Sequence, residues 1–296
     1  MIADMVVEAA RRGRKRIAVA AAGEASVLAS AAMGWARGLA DPILIGDLGT
    51  IESLGAELGL ELSRFEMVGA ENHAAAAAEA VRLVRSGEAD FLMKGTLETS
   101  VLLKAAFDKE RGLNAGVLAS HVELLEAASY HKLLFVTDPA INIAPGIGEK
   151  LAIISNAVRA ARALGVERPK VALLAALEKV VDRMPATVEA ATLASMWREG
   201  RIEGCVVEGP LALDCAISAE SARVKGIVSE VAGDADILVA PDIEAGNVLC
   251  KSLLDLGGAK GAGIVMGAAA PIVMASRADS PETRLASMAF AALASR

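Results

Sequence analysis

The chain has 296 residues, with 30 Lys plus Arg against 37 Asp plus Glu and a formal net charge of −7 at pH 7; with a sequence pI near 5.2 this excludes a general nucleic-acid binder and a polybasic membrane protein, leaving room only for a local basic pocket. The apolar fraction is 54% while aromatics make up 3%, so alanine carries much of the hydrophobicity, which reads as tight helix packing, and no apolar run reaches the roughly 18–20 residues of a bilayer span. Residues 1–16 place acids and bases ahead of any apolar run, opposite to a signal peptide, and Cys205, Cys215 and Cys250 lack the spacing of a disulfide framework or a zinc site, so the expected setting is the cytoplasm.

Taken in chain order, apolar runs alternate with helical stretches. A strand at 17–22 closes at Gly23 and precedes a helix to about 37. Strand 42–46 leads to helix 51–58, strand 65–68 to helix 72–85, and strand 90–93 through the loop Lys94-Gly95-Thr96 to a helix over about 99–109. Strand 132–136 then meets the turn-rich segment 137–146, read as a domain crossover, and a long helix follows over about 148–164. The rhythm continues with strand 170–174, helix 187–199, strand 204–207, helix 218–225, strand 237–240, helix 246–256, strands 263–266 and 272–275, and a closing helix over about 281–294. Strand-then-helix repetition is the sequence form of an α/β protein with parallel sheets covered by helices.

In open α/β sheets ligands collect beyond the carboxyl ends of strands, and the loops at those positions are polar here. Arg277 follows an apolar strand among Ser276, Asp279 and Ser280, where its fork of donors suits an oxyanion such as phosphate; the alternative is a surface ion pair with Asp279. Ser280 also fits a helix N-cap, since Pro281 and Glu282 suit a first turn. Lys94 ends a strand before Gly95 and Thr96, where backbone N–H groups and an ammonium could hold phosphate, or it belongs to a charged turn. His121 follows Ser120 at an expected strand end and is a candidate, whereas His73 starts a helix and reads as structural. No G-x-G-x-x-G, Walker A, G-x-S-x-G or H-E-x-x-H run occurs. With three histidines, none at metal spacing, a His-built metal site is not supported, and an Asp-based Mg²⁺ site stays open. The residues thus reach a two-domain α/β protein with an anion-accepting cleft, without naming a reaction.

Six ordered stretches carry a resemblance over nearly the whole chain: FLMKGT at 91–96, Ser120-His121 followed by YHKLLFVTD at 130–138, INIAP at 141–145, EGPLALD at 208–214, PDIEAGN at 241–247 and SRADS at 276–280. Together they resemble the phosphate acetyl/butyryltransferase family, closest to its butyryltransferase branch. The resemblance implies a two-domain, three-layer α/β fold of isocitrate/isopropylmalate dehydrogenase type, with domains at 1–139 plus 273–296 and at 140–272 and the active-site cleft between them. It implies reversible transfer of a short-chain acyl group, butyryl first and acetyl second, between coenzyme A and phosphate, with both as substrates, no bound cofactor, no metal, no nucleic-acid or membrane partner, and a homo-oligomeric state.

By the same resemblance Ser276 and Arg277 bind phosphate and stabilise the tetrahedral state, while Lys94, Gly95, Thr96 and Asn142 line the opposite wall, with Ser120, His121, Asp242, Gly246 and Asn247 as further substrate contacts. The chain departs from the family where acetyltransferases carry a basic Asp, because Thr283 aligns there; Asp279 is the candidate substitute. Two rival readings follow from particular residues. A dehydrogenase on the same fold needs a carboxylate–metal cluster, for which Asp234 and Asp236 are the close pair in the second half; a non-catalytic acyl-CoA-binding relative is suggested by the displaced base.

Overall fold

The computed structural model describes residues 1–276 and 279–295. Backbone contacts divide the chain into two units, a first of Ile2–Val117 with Ala262–Arg296 and a second of Leu118–Gly261. The boundaries expected at 139/140 and 272/273 fall, respectively, just past β6 of the second unit and inside β11 of the first, both defined below. The difference comes from the antiparallel pair at 120–137, which pairs with the second unit's strands, and from the return strand before 272.

The first unit opens with α1 (Ile2–Arg11), which the charges around it hid in the sequence; Ile2, Met5 and Ala9 form its buried stripe. There follow β1 (Lys15–Ala20), α2 (Ala25–Ala36), β2 (Ala40–Gly46), α3 (Leu48–Glu57), β3 (Glu66–Gly69), α4 (His73–Arg85), β4 (Phe91–Lys94) and α5 (Thr99–Ala106). Asp47 and Asn72 cap α3 and α4 by accepting the N–H groups of Thr50 and Ala75, the N-cap chemistry that ends a strand loop and starts a helix.

The second unit holds β5 (Ser120–Glu126), β6 (Leu134–Thr137), α6 (Ile147–Ala163), β7 (Lys170–Leu174), α7 (Pro185–Arg198), β8 (Val206–Leu211), α8 (Leu213–Ile217), α9 (Ala219–Val224), β9 (Ile237–Val239) and α10 (Ile243–Lys251), which continues as a π-helical turn at Ser252–Leu256. Its strands lie in the order β5-β6-β9-β7-β8; β6, β9, β7 and β8 are mutually parallel, and β5 is antiparallel to β6 with Glu123 opposite Val136. The chain returns through β10 (Lys260–Met266), β11 (Ile272–Val273) and α11 (Pro281–Ala294), giving the first unit the order β3-β2-β1-β4-β11-β10. Only β10 and β11 are antiparallel among those pairs.

The apolar helix α11 is buried almost all round, with Leu285, Met288, Phe290 and Leu293 among alanines, and packs on α1 and α2. A helix without a polar face belongs in the core, and its small residues explain how a protein so poor in aromatic rings closes its packing.

At the amino-terminal edge of the second unit's parallel strands, Asp234 and Asp236 are engaged by cations. Lys170 Nζ lies 2.5 Å from Asp234 Oδ2, Lys132 Nζ 2.9 Å and His131 Nε2 2.8 Å from Oδ1, and Lys132 also reaches Asp236 Oδ1 at 2.7 Å. The pair a dehydrogenase would need for a metal is therefore part of an ion network on the edge away from the strand-end loops. Burial alone would raise the Asp234 pKa, but the hydrogen bonds from Lys170, Lys132 and His131 outweigh it and hold the carboxyl far below its usual range. A pKa depressed in the folded state contributes stability above the unfolded value, and that contribution fades as pH falls below it. Asp234→Asn is therefore expected to lower the urea midpoint at pH 7, with the gap to the parent protein starting to narrow only below about pH 4 and closing as pH falls on towards the depressed value; a gap that stays constant down to strongly acid pH would contradict this.

Candidate active site

Parallel pairing brings the first unit's informative loops to one edge. Ile17 to Ala20 of β1 pair with Phe91 to Lys94 of β4, and Leu92 and Met93 pair with Ile272 and Val273 of β11, so Lys94-Gly95-Thr96 and Ser276 leave neighbouring strands at the same end. The backbone N–H groups of Gly95 and Thr96 donate to the carbonyls of Ala20 and Ala21 at 2.8 and 2.9 Å. That corrects the expectation that they hold phosphate, because sheet-like bonding has already taken them. Gly95 is required by proximity: a Cβ there would lie 2.0 Å from the Ala21 carbonyl oxygen. The buried Lys94 ammonium donates to Gly95 O and Leu97 O at 3.1 and 3.3 Å.

Thr96 stands at a cavity. Its hydroxyl lies 3.3 Å from Ala21 O and 3.4 Å from His73 Nε2, and both residues line a cavity of about 680 Å³ with Ala21, Gly46, Asp47, Thr50 and Asn72. This cavity sits at the carboxyl ends of β1 to β3 and the starts of α3 and α4, and the sequence reading missed it by treating His73 as a helix start alone. Its signal was present: Gly46-Asp47 and Asn72-His73 are polar strand-end turns like those singled out elsewhere.

Ser276 is exposed beyond β11. Its N–H donates to Asp279 Oδ2 at 2.7 Å and its carbonyl accepts from Asp279 N at 3.2 Å. Ser280 caps α11 by accepting from Thr283 N, as its surroundings indicated. Arg277, the central phosphate candidate, lies outside the described residues.

In the second unit β5 runs antiparallel to β6, so Ser120 and His121 begin a strand rather than end one, and still lie where the parallel strands finish. Ser120 is fully buried with its hydroxyl accepting from Asn156 Nδ2 at 2.9 Å. His121 is buried with Nε2 3.0 Å from Glu123 Oε2 and no hydrogen-bond partner at Nδ1 among the described residues. The adjoining loop is organised by Asp138, a residue the sequence reading left out of the site: its carboxylate accepts the N–H groups of Ala140, Ile141 and Asn142 and the Asn142 side-chain amide. Asn142 also donates to Ala119 O at 2.8 Å. Gly246 lets this loop lie on α10, since a Cβ would meet Asp138 O at 2.9 Å, and Asn247 Nδ2 donates to Pro139 O at 3.1 Å. Asp242 caps α10 by accepting from Ala245 N at 2.8 Å. Three of the second unit's candidates, Asn142, Gly246 and Asn247, thus meet at one loop, Ser120 and His121 open β5, and Asp242 caps α10.

Burial raises all three thiols, Cys205 to about 11, so none is a ready thiolate nucleophile at neutral pH. Among the described residues, Glu178, Asp214 and Cys215 cluster at metal-ligand spacing, but Lys225 Nζ stands 2.8 Å from Glu178 and 3.0 Å from Asp214, the place a cation would take. No helix among the described residues is long and apolar enough to cross a membrane.

The family model for phosphate acetyl/butaryl transferase matches residues 1–81 and 72–292. The chain is 43% identical to the phosphate butyryltransferase of Clostridium acetobutylicum over 98% of its own length and 96% of that protein's, and 48% identical to the phosphate acetyltransferase of Rhizobium meliloti over 86% and 81%. A branched-chain phosphotransacylase structure from Enterococcus faecalis V583 superposes with a TM-score of 0.85 at 33% identity, covering 95% of this chain and 98% of that one. With matches along its whole length and the α/β architecture in common, the chain belongs to the phosphate acetyl/butaryl transferase family and is a phosphate acyltransferase.

Proposed function

We propose that the chain interconverts butyryl-CoA plus phosphate with butyryl phosphate plus CoA, and takes acetyl-CoA as a second substrate. The observation that carries the reading is the first unit's strand edge, where the Ser276 segment, braced by Asp279, leaves β11 beside the strand that carries the Thr96 loop. Phosphate is a heavily solvated dianion, and Arg277 offers a bidentate fork to hold it. A phosphate oxygen attacks the thioester carbonyl, negative charge builds on the carbonyl oxygen, and collapse of the tetrahedral state expels CoA thiolate. A preorganised donor such as the Ser276 hydroxyl at that oxygen can supply roughly 3–4 kcal/mol.

No acyl-enzyme is needed, since phosphate is itself the nucleophile, and a thiolate leaves without a Lewis acid; neither a metal nor a bound cofactor takes part in this reading. Asp279 remains the candidate base for the CoA thiol in reverse, and its bond to the Ser276 N–H gives it a second task of holding the loop. Asn142, His121 and Asn247 are assigned to the substrate through the Asp138 loop.

The reading includes a cytoplasmic homo-oligomer, for which light scattering should give at least twice the 30.3 kDa chain mass. The test of specificity is a series of acyl-CoA substrates from acetyl to octanoyl with phosphate present. One methylene in an apolar pocket is worth about 1–3 kcal/mol, so kcat/KM is expected to peak at butyryl and fall at least about tenfold by octanoyl. A maximum at acetyl would transfer the assignment to the acetyl branch.

A further inference from the structure

Arg284 is the largest fully buried side chain among the described residues, 2% exposed in the mostly apolar α11. Burying a guanidinium is costly, and apolar replacements of similar volume are often neutral or stabilising, so its presence there calls for a task. Its Nη2 donates to Ser276 O at 3.1 Å and lies 3.8 Å from Glu24 Oε1, while Nε has no hydrogen-bond partner among the described residues. Glu24 sits between β1 and α2 and is also held by Ser26.

Ser276 is therefore gripped in two ways. Asp279 lies three residues along the chain from Ser276 and not in a core element. Arg284 projects from a helix packed into the core, so it ties the segment to the rigid part of the first unit. The Nη2 nitrogen faces the Ser276 carbonyl and the Glu24 carboxylate together, which an apolar side chain cannot do and a shorter-reaching ammonium does less well.

We infer that Arg284 is a positioning residue for the phosphate subsite, acting through the Ser276 carbonyl to fix where Ser276 meets phosphate. The inference rests on the assignment of Ser276 and Arg277 to phosphate. The test compares Arg284→Met, Arg284→Lys and Arg277→Lys by steady-state kinetics in both substrates and by urea unfolding. Arg284→Met is expected to keep or raise the unfolding midpoint, to raise the phosphate KM by about tenfold and to leave the acyl-CoA KM within about twofold. Arg284→Lys, which keeps a donor for the carbonyl, should recover part of the loss, with a phosphate KM raised by a factor of about three.

A folded Arg284→Met with parental phosphate kinetics overturns the inference, as does an equal rise in both KM values. Should the Met variant not fold, a parental phosphate KM in Arg284→Lys overturns it. Impaired Arg277→Lys beside indifferent Arg284 variants removes the positioning role alone, whereas parental Arg277→Lys removes the phosphate assignment and the inference with it.

Discussion

Arg277→Lys is expected to lower kcat by about 10²–10³ and to raise the phosphate KM, with an unfolding midpoint unchanged within error. A point ammonium replaces a planar fork, so one of two parallel hydrogen bonds to the dianion is lost, together with the fixed angle they impose. Losing one preorganised donor to the developing charge costs a factor of this size. Position alone makes the residue informative: it follows Ser276, whose N–H and carbonyl are both held by Asp279 and whose carbonyl is also held by Arg284. Steady-state kinetics with phosphate varied at saturating butyryl-CoA would read both constants, and a Lys variant with parental kcat and KM would remove Arg277 from the site.

Gly95→Ala is expected to cost about 3–5 kcal/mol of stability, among the largest effects of any single substitution. The added methyl would stand 2.0 Å from Ala21 O and 2.6 Å from Ala20 O, so it collides with backbone that the Gly95 and Thr96 N–H groups hold in place. Backbone cannot rotate away as a side-chain tip can, and the loop carrying Thr96 would have to separate from β1. Gly148→Ala provides the comparison: it lies in α6 with nothing within 4 Å of the added methyl, and alanine favours the helix by up to about 1 kcal/mol. Urea midpoints for the two variants should move in opposite directions. Gly95→Ala within about 1 kcal/mol of the parent would mean that the loop yields more easily than its packing indicates.

The contrast between those glycines shows what the sequence could and could not convey. Strands that end in a glycine or a polar turn, such as β1, β2 and β4, are legible because an apolar run and its punctuation are both local. The reason for Gly95 is not, since it depends on β1 lying alongside β4 across a span of more than seventy residues. Strand β5 was hidden because its alternation is broken by Leu124-Leu125, both buried, and because the apolar residues before Ser120 suggested a strand ending there.

Site residues divide along the same line. The strand-end rule picks out Thr96, Ser276 and Asn142 as candidates, and their positions follow from chain order. It missed Asp138, whose carboxylate acts on the three residues after Pro139, and Arg284, which lies in a helix and reaches back to Ser276. A buried arginine is invisible to periodicity, because its neighbours in sequence do not show which end of the helix is covered. Asp242, a substrate candidate by the resemblance, caps α10; N-cap and ligand positions at a strand end call for the same residue type.

Phosphate-dependent release of thiol from butyryl-CoA tests the central claim most directly. With the purified chain, CoA thiol should appear only when inorganic phosphate is added, in equal amount with an acyl phosphate that hydroxylamine traps. Binding of butyryl-CoA with no thiol release, or release at the same rate without phosphate, would contradict it.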